Sequence, residues 1–98
     1  MESQQMAAGE TGIDQLFRQQ VADTICAVLK RILELDGQVT AEMDLREDLG
    51  LKSEPALEML LDVEDHLGIQ VDTEFLDVDE MRTVTDLATF IAGHYRAA

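Results

Sequence analysis

The chain has 98 residues, with 21 Asp and Glu against 7 Lys and Arg and a formal charge of −14, which is enough for one small domain with one modest core. So large an acidic excess repels nucleic-acid phosphates and anionic membrane surfaces, and it suits either attraction to proteins that carry basic patches or simple solubility. Three phenylalanines, one tyrosine and no tryptophan call for an aliphatic core, and a single cysteine excludes an intramolecular disulfide or a thiolate metal cluster.

Residues 1–12 are small and polar, with no basic start and no apolar run. They read as a disordered tail ahead of one domain over 13–98, and not as a secretory signal or membrane anchor. No run of apolar residues is long enough to span a bilayer, so a cytoplasmic monomer is expected.

From Ile13 the apolar positions fall at Leu16, Phe17, Val21, Ile25, Leu29, Ile32 and Leu33, the three-and-four spacing of a helix with one buried face. Asp14 in its first turn and Lys30 and Arg31 in its last suit the helix dipole, and Gly37 offers a stop. Cys26 falls inside this pattern and reads as a small core residue.

Residues 38–52 keep no period, but Val39, Met43, Leu45 and Leu49 are spaced as anchors for a long loop, a kind of segment that is usually functional. Asp48-Leu49-Gly50 reads as a turn in which Gly50 takes a positive φ. Ser53 then opens a second helix as a favoured N-cap, and Pro55 is tolerated in the first turn. Leu57, Leu60, Leu61, Val63 and Leu67 continue the apolar pattern up to Gly68. Glu58, Asp62 and Asp65 make an acidic ridge at helical spacing.

Ile69 and Val71 look extended, with both branched side chains inward. Thr73 to Met81, with Phe75, Leu76 and Val78, reads as a short irregular helix. Thr83 and Asp86 have the spacing of a capping box ahead of a last helix that buries Leu87, Phe90 and Ile91 and carries His94 and Arg96 near its end. The fold class is therefore all-α, a small bundle of three to four helices with a long loop between the first two.

The order of these elements, with Asp48-Leu49-Gly50 ahead of Ser53 and Leu60 to Ile69 reading LLDVEDHLGI, resembles the acyl carrier protein family over Ile13 to Tyr95. The resemblance implies that Ser53 carries a 4′-phosphopantetheine arm through a phosphodiester, drawn from coenzyme A by a phosphopantetheinyl transferase. It also implies a carrier that catalyses nothing and presents acyl thioesters to enzymes of fatty acid, polyketide or related biosynthesis. Glu58, Glu64 and Asp65 would dock on basic patches of those enzymes, and Lys52 and Glu54, flanking the attachment point, would belong to the same docking set, in contact with the transferase. A phosphate at a helix start fits the free amides and the dipole there. This chain departs from the family at the site itself, with Lys52-Ser53-Glu54 where the family shows Asp-Ser-Leu. That change keeps two other readings open: an acidic interaction module without the arm, or a carrier of aminoacyl groups.

Plainer roles stand beside these. Ser53 can be an N-cap alone, the acidic ridge a solvated face, and Met43, Met59 and Met81 core fillers instead of an acyl pocket. His66 reads as a solvated histidine on the acidic helix, and His94 has no partner pattern. Asp72 to Glu80 fails as a calcium loop, having no glycine and having Phe75 and Leu76 where ligands belong. No catalytic triad or phosphate-binding glycine motif supports an enzyme.

Overall fold

The computed structural model describes residues 15–76 and 80–98. The expected N-terminal tail, with Ile13 and Asp14, and residues 77–79 lie outside them. Helix α1 spans Gln15–Ile32 and buries Val21, Ala22, Ile25, Val28 and Leu29, so the apolar period holds from Val21 onward. Leu16, expected on that face, is 82% exposed. The helix ends before Gly37 by a different device. Glu34 turns left-handed at φ 52°, and Glu34 N–H and Leu35 N–H donate to Arg31 O and Lys30 O. These two bonds form a Schellman cap in which a glutamate occupies the position that usually belongs to glycine.

The loop that follows is held by its own carboxylates. Asp44 Oδ1 accepts from Arg46 N–H and Glu47 N–H at 2.8 Å each, and Asp48 Oδ2 accepts from Asp44 N–H at 2.8 Å. Gly50 takes φ 63°, as expected, and Leu51 N–H closes the turn on Leu45 O at 2.8 Å. Leu45 and Leu49 are buried, and Val39 and Met43 pack half-buried against the same core. The loop is tied across the molecule by Leu45 N–H to Arg82 O at 2.7 Å and Thr85 N–H to Ala41 O at 3.0 Å. It therefore delivers Lys52 and Ser53 at a fixed place.

Helix α2 spans Ser53–Leu67 and stops at Gly68, whose φ of 66° lets its N–H reach Glu64 O. Helix α3, Val84–Gly93, starts on the expected capping box: Asp86 N–H donates to Thr83 Oγ1 at 3.1 Å, and Thr83 N–H donates to Asp86 Oδ2 at 3.2 Å. It buries Val84, Leu87, Ala88, Phe90, Ile91 and Ala92, and α1 packs against both α2 and α3. The core between them is aliphatic apart from Phe90.

Two expectations are corrected here. The segment after β1 (Ile69–Val71) makes a single 3-10 turn, Thr73–Phe75, capped by Asp72 Oδ1. Leu76 is already extended, so no helix runs from Thr73 to Met81. Arg96 lies in a strand and not in the last helix. His94 leaves helical space at φ −139°, and Tyr95–Ala97 (β2) pairs antiparallel with β1, Gln70 opposite Arg96. The small β-pair covers one end of what is otherwise the expected all-α bundle.

Candidate functional site

Ser53 is the first residue of α2, and Lys52, extended at φ −108°, is its N-cap, so the expectation of Ser53 as N-cap is corrected by one residue. The Lys52 carbonyl accepts the first helical bond, from Ala56 N–H at 2.9 Å. The Lys52 side chain makes no capping bond. Ser53 is exposed, and its hydroxyl makes no hydrogen bond among the described residues. A serine in this position contributes nothing to the helix start, which leaves its oxygen available for chemistry.

The amides around it are equally open. The N–H groups at the start of a helix have no intrahelical acceptor, which leaves those of Ser53 and Glu54 pointing outward, while Pro55 has none to offer. Beside them opens a cavity of about 350 Å³, at the small end of ligand-sized pockets. Its wall is apolar, formed by Leu45, Leu51, Met59, Leu60, Leu76 and Met81, while Arg46, Lys52 and Ser53 stand on the same lining. Met59 and Met81 thus serve cavity and core together, whereas Met43 packs against the core away from that lining. A hydroxyl, two amide donors and an apolar recess in one place fit a phosphodiester on Ser53 Oγ with a chain-like group beside it.

The remaining candidate residues divide by their contacts. Glu54, Glu58 and Asp65 are exposed on one side of α2. Glu64 is half-buried, and its Oε2 accepts from Val71 N–H at 2.7 Å, which ties the end of β1 to α2. Asp62, expected in the acidic ridge, is ion-paired with Arg31 of α1. The ridge is therefore Glu54, Glu58 and Asp65, with Asp62 turned toward α1. His66 donates its ring N–H to Asp62 O at 2.9 Å and is otherwise solvated, as expected. His94 stacks on Phe90 with ring centroids 4.3 Å apart.

Leu57 and Leu61 were expected inward but are 61% and 57% exposed. At 100° per residue they stand roughly 125° round the helix from the centre of the stripe formed by Met59, Leu60, Val63 and Leu67. One signal was available in sequence: six leucine, methionine and valine positions in eleven residues cover too wide an arc for one buried face. Leu57 and Leu61 lie among Glu54, Glu58 and Asp65, so α2 offers an apolar pair framed by carboxylates.

Two groups have shifted acidity. Asp44 is held below the usual aspartate range, first by the Glu47 and Arg46 amides and then by the Arg82 and Arg46 charges. Cys26 is half-buried, and burial pushes its thiol up, with Asp23 and Glu42 adding to the effect.

Comparison with known proteins matches residues 23–91 to the family described as the phosphopantetheine attachment site. An acyl carrier protein of Exiguobacterium sp. is 32% identical over 65 residues, 66% of this chain and 80% of that protein. The acyl carrier protein of Thermotoga maritima is 29% identical over 75 residues, 76% of this chain and 90% of its own length. Acyl carrier protein 2, mitochondrial, of Arabidopsis thaliana is 26% identical over 83 residues, 84% of this chain and 64% of its own.

Proposed function

The chain belongs to the acyl carrier protein family, and on that premise we propose that Ser53 bears the arm and that the cargo is an aliphatic acyl group. As a family member the protein is a carrier and not an enzyme, its cofactor is covalently attached 4′-phosphopantetheine, and it works with transferases and acyl-processing enzymes. The arm, when bound, supplies a terminal thiol on a flexible tether, which holds cargo as a thioester at high effective concentration for the next enzyme.

The observation that carries Ser53 is its exposed hydroxyl, which serves no cap and faces a cavity at a helix start with open amides. The apolar wall of that cavity supports an aliphatic cargo over an aminoacyl one, and fatty acid or polyketide biosynthesis as the pathway. Partner enzymes dock on α2, where Leu57 and Leu61 bury on contact and Glu54, Glu58 and Asp65 meet basic residues around them. Glu64, committed to Val71 N–H, acts there through shape more than through charge.

Intact mass spectrometry of protein from its native cells, with a Ser53→Ala variant alongside, tests the attachment. One phosphopantetheine of added mass in the parent and none in the variant is expected. Equal added mass in both would refute Ser53, and no added mass in the parent would leave the arm-free module.

A further inference from the structure

We propose that Lys52 clamps the phosphodiester of the arm, so that this carrier holds the root of its arm against the mouth of its own cavity. The inference rests on the attachment reading at Ser53. At the start of α2 the natural donors for a phosphate are the first-turn amides, and Pro55 removes one of them. The ammonium of Lys52 stands in for it. Lys52 adjoins Ser53 in the chain and lines the same cavity. Its side chain makes no hydrogen bond or ion pair among the described residues, and its extended backbone places it outside the helix.

Glu54 opposes this attraction from the first turn, but its own N–H has no intrahelical acceptor and would be open to the phosphate, while its carboxylate is exposed and screened. Arg46 stands on the same lining. The chemistry selected is a phosphodiester monoanion next to an apolar chain. A charge-assisted hydrogen bond from an ammonium to a phosphate oxygen meets the first requirement, and the leucine and methionine wall meets the second.

The test uses the loaded protein, produced with a broad-specificity phosphopantetheinyl transferase and checked by intact mass. The 31P linewidth of the arm is compared among parent, Lys52→Gln and Lys52→Arg. The clamp predicts a parent line broadened toward the tumbling of the whole protein, at least about twofold narrowing in Lys52→Gln, retention in Lys52→Arg, and narrowing of the parent line as salt is raised. A linewidth indifferent to residue 52 in fully loaded protein overturns the clamp and leaves the attachment intact. Loaded mass that persists in Ser53→Ala overturns the attachment, and the clamp with it.

Discussion

Ser53 and Thr83 both stand at helix starts, yet they do different work. Thr83 accepts from Asp86 N–H in a closed capping box, whereas the Ser53 hydroxyl accepts nothing among the described residues. Thr83→Ala should cost about 1 kcal/mol, and Ser53→Ala should change stability by less than about 0.5 kcal/mol, both read from urea melts. A large loss in Ser53→Ala would mean that the hydroxyl holds the fold and is not free for attachment. Glu34 bears strain that a glycine would not, because a left-handed backbone costs a side-chain-bearing residue about 1–2 kcal/mol. Glu34→Gly should therefore stabilise by about 0.5 kcal/mol after the greater freedom of glycine in the unfolded chain is subtracted.

Asp44 gives the pH prediction. Its folded carboxyl is more acidic than its unfolded one, so it contributes stability above the ordinary aspartate range near pH 3.9, and that contribution disappears as pH falls through its lower folded value. Stability followed by melting from pH 6 down to 2 should fall more steeply in the parent than in Asp44→Asn. Parallel curves would remove Asp44 as the source.

At the scale of elements, the proposed docking face lies on α2. Leu57→Gln and Leu61→Gln should each leave the melting curve nearly unchanged, since both side chains are already in water. Each should weaken binding to an acyl-processing partner by about 1 kcal/mol, roughly fivefold in Kd by titration calorimetry. Unaltered binding would move the docking face off α2.

The same helix shows what sequence can and cannot convey. Gly68 and Gly50 were legible because a left-handed turn favours glycine, and the capping box because Thr83 and Asp86 stand three positions apart. Ser53 was legible as a helix start, but whether its oxygen caps or stands free depends on one residue of register, which propensity does not fix. Leu57 and Leu61 were misplaced because a periodic count rewards every apolar residue alike and cannot say which edge of a wide arc meets a neighbour. The ion pair of Asp62 with Arg31 and the bond from Val71 N–H to Glu64 join residues that only packing brings together. The strand at Tyr95–Ala97 had no local signal, being three exposed residues whose order comes from pairing with Ile69–Val71.

For the whole molecule, the bundle and its aliphatic core follow from periodicity, and the charge of −14 sets how it meets others. Association with a basic partner should slow steeply as ionic strength rises, by about tenfold or more in kon between 20 and 200 mM salt in stopped-flow, while koff changes much less. A flat salt profile would mean that the leucine pair alone brings partners in.

Among the described residues Cys26 is the one thiol, half-buried in α1 and made less acidic first by burial and then by Asp23 and Glu42. Thiolates, not thiols, attack thioesters. A carrier with a reactive sulfur on its surface would drain its freight onto itself by sulfur-to-sulfur exchange, a short circuit between tether and scaffold. Burial and the two acidic neighbours lower the thiolate fraction of Cys26, and with it the rate of such an exchange.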